Sequence, residues 1–246
     1  MRKIQNILFL FSLLTLVGCG SVSTKENSEQ ENNRIEDSVQ ETKNIDYKSE
    51  FINKANCNQI IDNEFIHICY DYKLKAAKSV AYTLDGDLMN DPNIDKRPSF
   101  YVEKSIEKKH RVSSTDYTNS GYDKGHLAPD AAFDWSDESL KAVYTLANII
   151  PQAPQVNRNM WSQVEKFARD KAVELGELHV INVIKYGEQS KRIGKNRMAV
   201  SRGFYKVLYN YKENYKECFY YANKLNLTSR DDNISKHDIN CNEVKY

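Results

Sequence analysis

The sequence predicts a mixed α+β domain built on a mainly antiparallel sheet with packed helices, and three observations predict it. Short runs rich in aromatic and β-branched residues recur at 65–70, 79–84, 178–186 and 198–211, each reading as a strand. Loop-forming clusters such as Asp85-Gly86-Asp87 and Asp91-Pro92-Asn93 interrupt these runs. One longer stretch, 158–175, places Val164, Phe167, Ala168, Ala172 and Leu175 at helical spacing and ends at Gly176. No internal repeat is present.

Taken in order, the elements begin with an export segment. Met1-Arg2-Lys3 is basic, residues 7–17 are apolar, and Leu16-Val17-Gly18-Cys19 closes the run. That layout describes a secretory signal peptide, and the run falls short of the roughly 20 residues that span a bilayer. Cys19 stands where bacterial lipoprotein signals carry their lipidated cysteine, so the segment resembles a lipobox. The alternatives are a signal peptide cut at an ordinary site or an apolar N-terminal helix. Residues 1–19 are thus expected as a lipoprotein signal peptide ending at lipidated Cys19. Residues 20–48 are polar and scattered with acids, and with almost nothing to bury they are expected as a flexible tether. Residues 49–246 remain as one domain, about 200 residues being enough for one sizeable core.

Within that domain, 65–70 and 79–84 are the first strands, and 99–102 is a further candidate. Ser136, followed by Asp137 and Glu138, has the composition of a helix start. Residues 144–150 read as a buried strand ending at Pro151, and the long helix and the later strands follow. The 215–246 tail, rich in tyrosine and asparagine, has no clear assignment. Five cysteines become four once Cys19 is lipidated, and four in an oxidising compartment favour two disulfides out of three possible connectivities. Pairing Cys57 with Cys69 and Cys218 with Cys241 brackets two short local segments. No cysteine has the close spacing of a zinc site.

A formal net charge of +1 announces no particular partner. Local charge says more. Between 185 and 216 stand Lys185, Lys191, Arg192, Lys195, Arg197, Arg202, Lys206, Lys212 and Lys216 against only Glu188 and Glu213. Such a run is either a solvated face or a patch that tracks a phosphate backbone.

The residues that carry chemistry are fewer. His126 is a candidate general base near neutral pH, and Gly125 beside it admits a turn or a close ligand approach. Asn157, Trp161 and Glu165 fall at i, i+4 and i+8 of the expected helix, so an amide and a carboxylate share one face. Such oxygens suit magnesium, which keeps several waters and needs only one or two protein ligands. The ordinary reading is that Asn157 caps the helix and Glu165 pairs with Arg169. An imidazole, a hydrated cation and nearby bases together suffice to cut a phosphodiester bond.

Three segments in fixed order resemble one family. They are Tyr122-Asp123-Lys124-Gly125-His126-Leu127-Ala128-Pro129, then Ala147-Asn148-Ile149-Ile150-Pro151-Gln152, then Asn157-x-x-x-Trp161-x-x-x-Glu165. This conjunction resembles the non-specific DNA/RNA endonucleases of the ββα-metal type, to which mitochondrial endonuclease G belongs, over about 97–207. The resemblance implies His126 as general base, Asn157 as the protein ligand of magnesium, and Glu165 as the acid that orients the metal's waters. It implies that Asn148 helps hold the site together and that Arg97 contacts phosphate. Lys124 stands where the family commonly has arginine, keeping the charge but losing the bidentate grip. Ser201 replaces a usual proline, and Asn182-Val183 replaces an expected Thr-Gly.

The implied activity is hydrolysis of DNA and RNA with magnesium, manganese being able to substitute, and with contacts to the phosphate backbone rather than to base edges. Two other classes compete: a surface lipoprotein that captures nucleic acid without cutting, and a structural or adhesive lipoprotein. The expected location is an exported lipoprotein, periplasm-facing or surface-exposed. Gly20 after Cys19 gives no aspartate-type inner-membrane signal, which favours the outer membrane.

Overall fold

The computed structural model describes residues 46–90 and 94–246. The expected signal peptide, Cys19, most of the expected tether and the 91–93 loop lie outside the described residues. The strands are β1 (Gln59–Asp62), β2 (Ile66–Asp71), β3 (Ala76–Asp85), β4 (Asp123–His126), β5 (Ile149–Gln152), β6 (Glu177–Lys185), β7 (Arg192–Ile193), β8 (Met198–Ala199), β9 (Gly203–Asn210) and β10 (Tyr215–Ala222). The helices are α1 (Tyr47–Phe51), α2 (Asp137–Val143) and α3 (Trp161–Leu175).

Six of these strands form one sheet in the order β1-β2-β3-β6-β9-β10, and each neighbouring pair is antiparallel. Two small antiparallel ribbons, β4 with β5 and β7 with β8, stand apart from it. An antiparallel sheet often leaves one face wet and then reads as alternating apolar and polar residues. Here both faces are covered. Val80, Tyr82, Leu84, Val180, Phe204 and Leu208 pack into one core with Trp161, Val164, Ala168 and Ala172 of α3. Ala81, Ile181, Val183, Val207 and Tyr209 pack into a second core with Phe51 of α1 and with Cys69 and Cys218. Every residue of β9 is therefore buried, and the central strands read as near-continuous apolar runs.

Helix α3 takes its place through its stripe. Trp161, Val164, Ala168 and Ala172 are buried on one side, and each large apolar side chain so buried contributes about 1.5–3 kcal/mol. Gly176 ends it at φ +79°. Helix α2 starts as the composition foretells. Ser136 accepts from Ser139 N–H, and the Ser139 side chain answers at Ser136 N–H. Cys57 is bonded to Cys69 and Cys218 to Cys241.

Several expectations need correction. The 99–102 run makes only a single bridge, Tyr101 to Thr145, and not a strand. The 144–150 run is a turn at Leu146–Asn148 followed by β5, which includes Pro151 rather than ending before it. The fit is possible because β5 lies at a ribbon edge, where a missing N–H is tolerated. The unassigned tail supplies β10, an edge strand whose apolar positions join both cores. The long helix does not begin as an α-helix. Val156–Met160 is a π turn, and regular α geometry starts only at Trp161.

Candidate active site

The site is assembled on the β4–β5 ribbon, whose register sets Asp123 opposite Gln152 and His126 opposite Ile149. Gly125 sits inside this strand and not at a turn, contrary to one sequence expectation. It serves close approach. A Cβ there would lie 2.2 Å from Cδ and Oε1 of Gln152, whose side chain crosses the ribbon at that point. Strand alternation puts Lys124 and His126 on one face. Phe100 joins them, with Lys124 Nζ 5.4 Å above its ring and the His126 ring centred 5.4 Å away.

Tyr144 closes the other side of His126 with ring centroids 4.9 Å apart. Asn148, fully buried, ties the chain just beyond His126 to the end of α2. Its Oδ1 accepts from Ala128 N–H at 3.0 Å, and its Nδ2 donates to the Ala128 and Val143 carbonyls at 3.0 and 2.8 Å. Asn182 adds a second tie from the main sheet, donating to the Leu127 carbonyl at 2.7 Å.

Burial pulls the His126 pKa down to about 4; the Arg97 charge adds to the effect and Asp130 opposes it. The imidazole is therefore uncharged at neutral pH and able to accept a proton. Its Nε2 is buried with no hydrogen-bond partner among the described residues. An orphaned group of this kind costs about 1–3 kcal/mol, which a bound water or substrate oxygen would relieve. Arg97 is held between two acids, with Nε 3.1 Å from Asp130 and Nη2 2.9 Å from Asp134. Tyr144 Oη donates to Asp130 at 3.0 Å. Asp130 so anchors Arg97, steadies Tyr144 and places a negative charge near His126.

Asn157 lies in the π turn and does not cap a helix, as the ordinary reading had it. Its Nδ2 donates to Asp123 Oδ2 at 3.1 Å. Arg158 takes both oxygens of the same carboxylate at 2.8 Å each, so Asp123 is held ionised, its pKa lowered by hydrogen bonds from Arg158 and Asn157 despite opposing burial. With the nitrogen committed to Asp123, the Asn157 amide presents Oδ1 as an acceptor, with no donor to it among the described residues. Trp161 and Glu165 lie in the regular helix α3, and Asn157 lies in the π turn that leads into it. Trp161 goes to the core at 1% exposure.

Glu165 looks from α3 toward the sheet, where Lys206 is completely buried. Burial raises the carboxyl pKa, and the nearby Lys206 and Arg169 charges lower it. Burial likewise lowers the Lys206 pKa while Glu165 raises it. Lys206 Nζ donates to Asn182 Oδ1 at 2.9 Å and to Tyr82 Oη at 3.2 Å, and lies 4.4 Å from the Trp161 ring centre. Lys206 is therefore no part of a surface patch, which corrects its grouping with the basic stretch. Lys216, of the same stretch, stays exposed and lies 4.7 Å over the Tyr47 ring. Asp130 is felt by both Glu165 and His126, so one carboxylate biases the two groups in the same direction.

Sequence reasoning assigned no role to Asp123, Asp130 or Gln152. Gln152 is fully buried, and among the described residues both its amide atoms lack a partner, like His126 Nε2. Only its position after Asn148 and Pro151 in a motif could have flagged it. Among the described residues no three His, Cys, Asp or Glu side chains gather into a metal cage. The available donors are an amide oxygen and a carboxylate, which fit a hard cation that keeps most of its water.

A family model described as DNA/RNA non-specific endonuclease matches residues 33–245. Mitochondrial endonuclease G of Homo sapiens is 29% identical over 164 residues, covering 61% of this chain and 54% of that protein. The Bos taurus counterpart is 30% identical over 155 residues, covering 57% and 50%. A nuclease of Nostoc sp. is 28% identical over 123 residues, covering 50% and 44%. The chain thus spans about half the length of these relatives. A chain of the crystal structure of the EndoG/EndoGI complex superposes with a TM-score of 0.66 at 23% identity, over 74% of this chain and 80% of that one, and so shares the fold.

Proposed function

The chain belongs to the DNA/RNA non-specific endonuclease family, and from that premise we propose that it hydrolyses phosphodiester bonds of DNA and RNA with a histidine base and one magnesium ion. The observation that carries this reading is the Asp123 clasp. A carboxylate three residues before His126 holds the amide nitrogen of Asn157 and leaves its oxygen to a cation. Asn157 Oδ1 would be the protein ligand, and Glu165 would bind the cation's waters. Bound there, magnesium supplies charge neutralisation at the phosphate and at the departing oxygen.

The chain's own residues do the rest. His126, uncharged because it is buried, takes the proton of the attacking water at Nε2. Lys124, held over Phe100 on the same strand face, offers a positive charge to a phosphate oxygen. Arg97 stays neutralised by Asp130 and Asp134, so it positions the site more than it adds net charge. None of these groups is arranged to read a base edge, which supports cutting without sequence preference.

The test uses plasmid DNA and a long RNA, with magnesium or with chelator. Cutting of both in magnesium only is expected, manganese substituting. His126→Ala should abolish cutting while DNA retention persists, and an intact plasmid with the unaltered protein would favour a capture protein that does not cut. Export and outer-membrane anchoring through Cys19 belong to the same proposal. Radiolabelled palmitate incorporation, lost in Cys19→Ser, is the measurement.

A further inference from the structure

The basic stretch of the sequence divides in space, and part of it lines a groove that the chemistry above does not use. This groove, of about 460 Å³, is lined among others by Tyr122, Lys191, Arg202, Tyr220 and Lys224, with no carboxylate among the described residues of its wall. Lys191, Arg202 and Lys224 are exposed. The aromatic rings carry cations in place: Lys191 Nζ lies 5.0 Å from the Tyr122 ring centre, and Lys185 Nζ lies 5.7 Å from that of Tyr220.

Arg202 is built in rather than merely exposed. Its backbone N–H donates to Lys185 and its carbonyl accepts from Asn223, each at 2.8 Å. Its guanidinium lies across Gly187 so closely that a Cβ there would stand 2.3 Å from Nε. Asn223, buried in the groove wall, couples it to the candidate active site. It accepts from Ala153 N–H at 2.7 Å and donates to the Pro151 carbonyl at 2.9 Å. Ala153 in turn accepts the backbone N–H of Asn157. Tyr122 is the residue before Asp123, whose carboxylate clasps Asn157. The groove and the cation-binding amide are thus registered through two short, rigid connections.

We propose that this groove is a subsite for an unpaired flank of the substrate strand. Lys191, Arg202 and Lys224 neutralise successive phosphates, and Tyr122 and Tyr220 stack the bases. The inference rests on the nuclease reading and adds to it where the strand runs beyond the scissile phosphate. Cations interleaved with aromatic faces suit a single strand, whose bases are free to stack, better than a duplex, whose bases are not. Binding exchanges a cation–aromatic contact at each ring for a base–aromatic contact and a cation–phosphate contact.

The test compares two substrates for the full chain in magnesium: a 20-residue single-stranded oligonucleotide, and a nitrophenyl phosphodiester of one nucleoside that is too short to reach the groove. The triple change Lys191→Gln, Arg202→Gln and Lys224→Gln should raise KM for the oligonucleotide about tenfold or more. It should leave kcat, and turnover of the short diester, unchanged. Three lost phosphate contacts should also shrink the salt dependence of oligonucleotide binding by about 2 in log–log slope. Gly187→Ala, which displaces Arg202 alone, should show a smaller effect of the same kind, and Tyr220→Leu should weaken the single strand more than a duplex of equal length.

Unchanged KM and slope in the triple variant, with the unaltered protein cutting both substrates, overturns the subsite and leaves the nuclease reading standing. Equal losses for single strand and duplex in Tyr220→Leu overturn the stacking role. An unaltered protein that cuts neither substrate overturns the premise itself.

Discussion

Asp123 and Asn157 are 34 positions apart in the chain, and the carboxylate of the first accepts the amide N–H of the second at 3.1 Å. The contact joins β4 to the π turn ahead of α3, and it decides which atom of Asn157 faces outward. Arg158 makes the clasp stiffer by occupying both carboxylate oxygens. A free asparagine amide has two orientations of similar energy; this one has been given a single orientation.

Asp123→Ala removes that constraint without touching the proposed base. Groups that orient a metal ligand are typically worth about 10–100-fold in affinity or activity. The magnesium concentration for half-maximal cutting should therefore rise by about that factor, with His126 unaltered. An unchanged magnesium titration would remove Asp123 from this role.

His126 should make stability depend on pH over a defined window. Its pKa is about 4 in the folded chain and near 6.5 when unfolded, so between these values the unfolded state binds more protons. Stability contributed by the uncharged ring is complete above about pH 6.5 and declines as pH falls toward 4, by up to about 3 kcal/mol. Urea unfolding at pH 7 and pH 5 measures it. The difference between the two pH values should be smaller in His126→Ala.

Lys206→Met tests the buried pair. Lys206 favours the ionised form of Glu165, so its loss should push the carboxyl pKa further up. The acid limb of the pH–rate profile should move to higher pH, with activity at pH 7 reduced by about tenfold and recovered in part near pH 9. A profile that keeps its acid limb would separate Glu165 from catalysis.

Gly125→Ala places a methyl 2.2 Å from the Gln152 side chain inside a strand. Overpacking of this kind costs about 1–3 kcal/mol. Thermal unfolding should show a lower Tm, and a second change, Gln152→Ala, should restore much of the loss by opening the space.

Breaking the Cys218 bond to Cys241 releases a tail that reaches back to both cores. A disulfide typically contributes about 2–4 kcal/mol. Cys218→Ser with Cys241→Ser should unfold at lower denaturant than the unaltered chain, and the margin should vanish when both proteins are reduced.

What could be read from residues alone was local or periodic. The stripe of α3, its end at Gly176, the Ser136 cap and the strand runs of β2, β3, β6 and β9 are all written in neighbours a few positions apart, because propensity and amphipathic period act at that range. The two cystine pairings followed from short loop lengths. The order of His126, Asn148, Asn157 and Glu165 identified the family. The sequence pattern missed β10, because an edge strand feeding two cores shows no clean alternation. It also began a regular helix at about Arg158, inside the π turn Val156–Met160, because a π turn leaves no distinct residue signature.

Tertiary structure alone decided which groups meet and what charge they carry. Lys206 looks like eight other basic residues in a basic stretch, yet the sheet buries it beside Glu165 and drives both toward their neutral forms. Asp123, Asp130 and Gln152 acquire roles only when β4, β5 and the π turn are brought together. The physical reason is range. A sequence encodes backbone preference over a turn or two, whereas burial and Coulomb fields act between segments that only the folded chain makes adjacent.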